Sequence, residues 1–264
     1  MSKDMSNKKI EIKNAFDHGK AFIGFVTGGD PSIEKSEEYI LKMVEAGCDL
    51  IEIGIPFSDP IAEGPVIQDA NIRALSAGTT TEKIFELAAN VRRQTEVPLV
   101  FLTYLNPVYK YGYDNFCARC EEAGVNGMII PDMPYEEKTE LTEAAKKYGV
   151  DIISLIAPTS EERIKKIAAD ATGFVYVVSS MGVTGMRSEI KTDLNAIVSA
   201  VKDATDVPAA VGFGVNTPEQ AAKIAQIADG VIVGSAIVKI IEKYGADAGS
   251  YVYDYVKSMK DAIR

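Results

Sequence analysis

Short apolar runs, separated by amphipathic segments, extend along most of the 264-residue chain. Most of the runs are continuous rather than alternating and rich in Val and Ile, a pattern typical of strands that are buried on both faces of a parallel sheet. We predict eight such strands, at Ala21–Val26, Leu50–Ile53, Leu99–Thr103, Gly127–Ile130, Ile152–Ile156, Phe174–Val178, Ala209–Val211 and Gly230–Val233.

The segments between the predicted strands have the periodicity of amphipathic helices. The clearest are Ser36–Glu45, Glu82–Arg93, Lys138–Tyr148 and Glu161–Ala169. Eight strands alternating with helices over this length predict an α/β fold of the (β/α)8 TIM-barrel type, which typically takes about 250 residues. A doubly wound open sheet is the competing fold, and it is less favoured because eight βα units account for nearly the whole chain.

The chain contains no linker, low-complexity tract or change of composition. We therefore expect residues 1–264 to form a single TIM-barrel domain. The residues before Ala21 predict an extra N-terminal helix, and those after Gly245 predict a C-terminal one.

The composition narrows the possible partners and location. Asp and Glu number 38 against 28 Lys and Arg, which argues against binding to nucleic acid or to an anionic membrane surface. No apolar run reaches the roughly 18 residues of a membrane-spanning helix, and Met1–Lys13 lacks the apolar stretch of a signal peptide. With only three cysteines, the chain is expected to be a reduced, cytoplasmic protein.

The predicted strand Leu50–Ile53 carries the single acid found within the eight runs, Glu52. Since Ile51 and Ile53 point one way, Glu52 points the other way, toward the barrel interior. An unpaired buried carboxylate is costly, so two readings remain open. Either a Lys or Arg from a loop forms an ion pair with Glu52, or the carboxyl has a raised pKa and serves as a proton donor or acceptor.

The loop that follows carries two more acids, Asp59 and Glu63, among several prolines. Active sites of such barrels lie at the carboxyl ends of the strands, where these loops are. Glu63 could be a second catalytic acid or a solvated loop charge. Asp59 could equally cap a turn.

Glycines follow the last two predicted strands, in Val211–Gly214 and in Val233–Ile237, where a helix begins. Barrels often hold a phosphate at this place, with backbone N–H groups and a helix N-terminus. Ser235 could donate to the anion as well as cap the helix. Glycines also simply turn the chain, but two such sites in the expected positions favour a phosphate.

The loop Ser179–Ser188 is glycine-rich and long, which suggests a mobile lid over the site, or a merely flexible loop. Other chemistries have little support. His18 is the single histidine, so no metal site is expected. Cys117 and Cys120 have CxxC spacing but lie in a helical stretch without a second ligand pair. Acid–base catalysis by carboxylates on a phosphorylated substrate remains.

The residues Glu52–Pro60, followed by Ala62–Pro65, closely resemble the signature of the tryptophan synthase α-subunit family. The resemblance covers nearly the whole chain. It includes the segments Phe25–Pro31, Tyr104–Pro107, Pro131–Pro134, Gly182–Gly185 and Gly234–Val238.

This resemblance implies retro-aldol cleavage of indole-3-glycerol phosphate to indole and glyceraldehyde 3-phosphate. Glu52 matches the family's proton shuttle. Glu63 matches a second carboxylate that interacts with the indole N–H, although most relatives have Asp there. The implied substrate-binding residues are Phe25, Leu102, Ile129, Tyr176 and Phe213 around the indole, Thr184 in the lid, and Gly185, Gly214, Gly234 and Ser235 at the phosphate.

The resemblance also implies a partner, a β subunit that carries pyridoxal phosphate and receives the indole in an α2β2 complex. No cofactor is expected in this chain. The loop Pro56–Pro60 and the tyrosine-rich tract Asn106–Gly112 would face the partner. Packing within the barrel is the other explanation of that tract.

Three other functions share part of this sequence pattern. A phosphate-binding isomerase of the same pathway would need a cysteine at a strand end, whereas Cys48, Cys117 and Cys120 all fall on helical segments or their ends. A stand-alone indole-releasing lyase would use the same catalytic residues. A non-catalytic regulatory subunit is disfavoured because both carboxylates are present.

Overall fold

A computed structural model describes residues 10–178, 193–212 and 214–264. Within these residues, nine parallel strands form one sheet in the order β5-β4-β3-β2-β1-β9-β8-β7-β6. The strands are β1 Ala21–Thr27, β2 Leu50–Gly54, β3 Leu99–Leu102, β4 Gly127–Ile129, β5 Asp151–Ile152, β6 Ser154–Ile156, β7 Val175–Val178, β8 Ala209–Gly212 and β9 Gly230–Val233.

The two terminal strands of the sheet, β5 and β6, are halves of one extended stretch, so the sheet closes into a barrel. Ile153 separates them, and its N–H still donates to the Met128 carbonyl in β4 at 2.9 Å. The eight strands and the TIM-barrel fold predicted from the apolar runs are therefore confirmed, with one strand interrupted by a single residue.

The helices surround the barrel. Those of the described residues are α1 Ile33–Glu45, α2 Pro65–Ser76, α3 Thr81–Arg92, α4 Leu105–Tyr111, α5 Tyr113–Ala123, α6 Thr139–Tyr148, α7 Glu161–Ala169, α8 Leu194–Lys202, α9 Pro218–Ala225, α10 Ser235–Tyr244 and α11 Gly249–Ala262. The predicted C-terminal helix is α11. No helix within the described ranges has both the length and the apolarity to cross a membrane.

The predicted N-terminal helix is, in its described part, a 3₁₀ helix at Ile12–Phe16. Ile12 and Ala15 are buried in the same cluster as residues inside the barrel, such as Leu50 and Val100. This short helix therefore packs against the inner core.

Alternate residues of each strand belong to two separate cores. In β2, Ile51 and Ile53 pack outward against the helices, whereas Leu50 packs inside the barrel. The alternation of side chains along a strand thus turns Glu52 inward, as the sequence predicted. A carboxyl group is thereby fixed inside the barrel.

A partly buried ion pair ties α2 to the loop after β1. Asp30 is 1% exposed, and Arg73 of α2 donates to both of its carboxylate oxygens, at 2.9 and 2.8 Å. Such a two-pronged contact fixes orientation as well as distance. It holds α2, and with it the end of the loop that carries Glu63.

Candidate active site

A mostly apolar cavity opens at the carboxyl ends of the strands. It has about 660 Å³ of space free of atoms, part of it open to solvent. Strand ends and the segments after them supply its lining, which consists of Phe25, Glu52, Glu63, Ile67, Leu102, Pro131, Leu155, Tyr176, Gly214, Val215, Ile232, Gly234 and Ser235.

The structure brings together nearly all of the predicted site residues that it describes. Ile129 differs, because it is fully buried in the inner core and does not line the cavity, where Pro131 reaches the wall instead. Thr184, Gly185 and Phe213 lie outside the described residues, as does the predicted lid.

Glu52 lies on the floor of the cavity in the middle of β2 and is only 1% exposed. Its Oε1 has no hydrogen-bond partner among the described residues. Burial alone raises the pKa of this carboxyl to about 8. Of the two readings of Glu52, the described residues support the second, a carboxyl that keeps its proton at neutral pH, since none of their ion pairs includes it.

Tyr176 of β7 lies close enough to Glu52 for their charges to interact. Burial raises the pKa of its hydroxyl far above the ordinary value, with a smaller contribution from Glu52, so the phenol stays neutral. The neighbouring β8 leaves room for this ring, because a Cβ on Gly212 would lie 2.5 Å from the Tyr176 hydroxyl oxygen. The absence of a side chain at Gly212 therefore makes room for the Tyr176 ring, a role that the glycine pattern alone did not indicate.

Glu63 lies at the rim of the cavity, two residues before the start of α2, and is 7% exposed. Asn71 Nδ2 of α2 donates to its Oε2 at 2.7 Å, and the Tyr104 hydroxyl donates a second hydrogen bond. Burial raises the pKa of Glu63 to about 7, and the two hydrogen bonds hold it below the value that burial alone would give. Glu63 is thus poised between its two charge states at neutral pH.

Asn71 and Tyr104 were missed by the sequence analysis. Asn71 lies eight residues after Glu63, and Tyr104 lies on a different βα unit. The other acid of the loop, Asp59, is exposed and accepts a hydrogen bond from Ser58 at 2.5 Å. Asp59 does not line the cavity, in keeping with the reading that it serves a turn.

The far wall of the cavity is the start of α10. Gly234 precedes the helix as its N-cap, and Ser235 is its first residue. The N–H groups of a first helical turn have no acceptor within the helix, and the helix dipole adds positive potential there. Gly214, with a φ of +88°, completes this wall, which therefore suits an anion.

The fold and the cavity together define a (β/α)8-barrel enzyme with two desolvated carboxyl groups and an anion-binding wall. The family model of the tryptophan synthase alpha chain matches residues 12–264. The chain belongs to the tryptophan synthase alpha chain family.

Similar proteins were found both by sequence and by structure. The tryptophan synthase alpha chain of Lacticaseibacillus casei is 48% identical over 253 residues, which are 96% of this chain and 95% of the relative. A crystal structure of the Legionella pneumophila alpha chain aligns with a TM-score of 0.86 at 37% identity, over 96% of each chain. A chain of the tryptophan synthase complex of Pyrococcus furiosus aligns with a TM-score of 0.85 at 36% identity. The alignment covers 92% of this chain and 99% of that chain.

The raised pKa of Glu52 predicts how stability depends on pH. Because the folded-state value of about 8 lies above the ordinary 4.5, the folded chain holds a proton that the unfolded chain has lost. Stability from this group is complete below pH 4.5 and declines as pH rises toward 8. Glu52→Gln cannot lose a proton, so from pH 5 to 8 it should lose roughly 2–4 kcal/mol less stability than the unmodified chain.

Urea unfolding at pH 5 and pH 8 measures this difference. Glu86→Gln, a change at an exposed position of α3, is the matched control and should follow the unmodified chain. Equal pH dependence in Glu52→Gln and in the unmodified chain would show that Glu52 does not keep its proton.

Proposed function

We propose that Glu52 and Glu63 catalyse the family reaction, the retro-aldol cleavage of indole-3-glycerol phosphate to indole and glyceraldehyde 3-phosphate. One observation carries the proposal. A carboxyl with a pKa of about 8 and another with a pKa of about 7 line one apolar cavity, and a helix N-terminus forms its far wall. This pairing supplies a proton donor and a negative charge at the same pH.

The phosphate is expected to bind at the start of α10, against Gly234 and Ser235. The indole ring then lies along the apolar wall that includes Phe25 and Leu102. This placement brings the reacting carbon atoms of the substrate to the floor of the cavity, where Glu52 lies. Binding energy from the phosphate would hold the reacting atoms in position.

In the first step, protonated Glu52 donates its proton to C3 of the indole ring. The ring becomes a cationic indolenine, and Glu52 becomes a carboxylate. The carboxylate then removes the proton of the hydroxyl on the adjacent side-chain carbon. The bond from that carbon to C3 breaks, its electron pair returns to the ring, and the aldehyde forms. Glu52 regains its proton, so the step is balanced.

Glu63 acts on the charge that develops on the ring. As a carboxylate it accepts a hydrogen bond from the indole N–H and stabilises the positive indolenine. In a desolvated cavity such an interaction is much stronger than in water. The hydrogen bonds from Asn71 and Tyr104 favour this ionised form.

The partner is the tryptophan synthase β subunit, in an α2β2 complex, with pyridoxal phosphate bound to that subunit and not to this chain. Two exposed side chains support a docking face around the cavity mouth. Ile61 is 73% exposed and Tyr109, in α4, is 70% exposed. Ile61 directly follows the loop Pro56–Pro60, and Tyr109 lies within the segment Asn106–Gly112. Both segments were expected to face the partner. We place the enzyme in the cytoplasm, as one domain.

Removing either carboxyl group tests the mechanism. Glu52→Gln keeps the size of the side chain but cannot transfer a proton, so kcat should fall at least about 10²-fold. In Glu63→Ala, kcat should fall by a similar factor, because the ring cation loses its counter-charge. Indole release from indole-3-glycerol phosphate measures both rates, and circular dichroism confirms folding. A folded Glu52→Gln variant with near-normal turnover would remove Glu52 from the mechanism.

Glu63→Asp tests how strictly position matters. Aspartate is shorter by about 1.5 Å, which takes the carboxylate out of reach of Asn71 unless the loop moves inward. We expect kcat to fall roughly 10- to 100-fold, less than in Glu63→Ala, because misplacement of about one ångström is costly but the charge remains.

Gly234→Asp tests the phosphate wall. A carboxylate here would repel the substrate's phosphate, so KM should rise roughly 10- to 100-fold. Gly234→Asn, similar in shape but uncharged, is the matched control and separates charge from crowding, since any Cβ at this position lies 3.3 Å from the Phe25 ring. Free indole should inhibit both variants equally. If the Asp and Asn variants have the same KM, the phosphate binds elsewhere.

A further inference from the structure

We propose that the Tyr104 hydroxyl is a positioning group for Glu63, and that it couples the partner-facing segments to this carboxylate. This inference rests on the proposed function, in which Glu63 stabilises the ring cation. It assigns to Tyr104 a role in partner control and not in the chemical step.

The first support is the pair of hydrogen bonds at one oxygen atom. Tyr104 is 1% exposed. Its hydroxyl oxygen accepts the backbone N–H of Ala62 at 3.2 Å, and its single proton is donated to the carboxylate of Glu63. One phenol therefore holds both the backbone before Glu63 and the end of its side chain.

The second support is where the Tyr104 ring is anchored. Its centroid lies 5.4 Å from that of Phe57, which belongs to the partner-facing loop Pro56–Pro60. Tyr104 is also the N-cap of α4, the helix that carries the exposed Tyr109. The loop Pro56–Pro60 thus contacts Tyr104 through Phe57, and the segment Asn106–Gly112 begins two residues after Tyr104 in the helix that it caps. A shift in either segment would therefore move the Tyr104 hydroxyl.

The third support is the length of the Glu63 side chain. A glutamate has one more rotatable bond than an aspartate, and therefore more freedom to lose when its carboxylate is held in one place. Asn71 of α2 donates to the carboxylate at 2.7 Å, and Tyr104, which follows β3, donates the second hydrogen bond. Asn71 belongs to α2, which Arg73 ties to Asp30, whereas Tyr104 contacts the loop Pro56–Pro60 through Phe57. The partner-sensitive restraint is for this reason assigned to Tyr104.

The charges around this contact set the direction of its pH dependence. Asn71 and Tyr104 both lower the pKa of Glu63. Glu63 and Asp132, which follows β4, both act on Tyr104, and Glu52 lines the same cavity. Losing the Tyr104 hydroxyl removes a donor to the carboxylate and raises the pKa of Glu63. Less of it is then ionised at pH 7.

Tyr104→Phe keeps the ring against Phe57 and removes only the hydroxyl, so the chain should fold. At pH 7 kcat should fall roughly tenfold, and the acid limb of the kcat profile should move up by about half to one pH unit. KM should change little, because the phosphate wall is untouched. Adding the β subunit should stimulate this variant several-fold less than it stimulates the unmodified chain.

Tyr39→Phe is the matched control. Tyr39 is equally buried, but its hydroxyl donates to the Gly245 carbonyl, at 2.5 Å, outside the site. The acid limb of the kcat profile and the factor by which the β subunit stimulates activity should both be the same in this variant as in the unmodified chain. An activity loss in Tyr104→Phe that is equal at all pH values would indicate a structural effect and overturn the inference, as would an unchanged stimulation ratio.

Glu63→Ala, measured in the same assay, separates this inference from the proposed function. Suppose that Glu63→Ala abolishes activity while Tyr104→Phe has the same acid limb of the kcat profile, and the same stimulation by the β subunit, as the unmodified chain. The proposed function then stands and the coupling through Tyr104 fails. If Glu63→Ala retains full activity, the role of Glu63 itself fails, and the coupling fails with it.

Discussion

The desolvation of one carboxyl group, that of Glu52, is the constraint on which the site depends. A charge buried without a partner is so costly that the group keeps its proton instead. The barrel produces this desolvation, because β2 lies between β1 and β3 and the inner core around Glu52 is mostly apolar. The same closure of the sheet that stabilises the fold therefore prepares a proton donor at neutral pH.

Glu63 shows how the same side chain acquires a different role at the rim. It is also desolvated, but Asn71 and Tyr104 donate hydrogen bonds that favour its ionised form. The pKa of Glu63 is therefore lower than that of Glu52, because Glu63 accepts two hydrogen bonds whereas Oε1 of Glu52 has no partner among the described residues. The ion pair of Asp30 with Arg73 contributes indirectly, because it fixes the position of α2, the helix that carries Asn71.

The parts of this arrangement that follow from local pattern were predictable, and the parts that depend on long-range contacts were not. Val- and Ile-rich runs predicted the strands, and the alternation along Leu50–Ile53 predicted an inward Glu52. Nothing in the spacing indicates that Tyr104, forty-one residues after Glu63, donates to its carboxylate. The depth of Ile129 in the barrel depends on where β4 ends, which an apolar run does not specify.

The protonation state of Glu52 is the central claim, and it can be measured directly. Difference infrared spectroscopy of the carboxyl stretch, comparing the unmodified chain with Glu52→Gln across pH 4 to 10, isolates this group in the absence of substrate. The account predicts a protonated carboxyl band that Glu52→Gln lacks and that disappears with a midpoint near pH 8. A midpoint near 4.5, the ordinary value for glutamate, would contradict it.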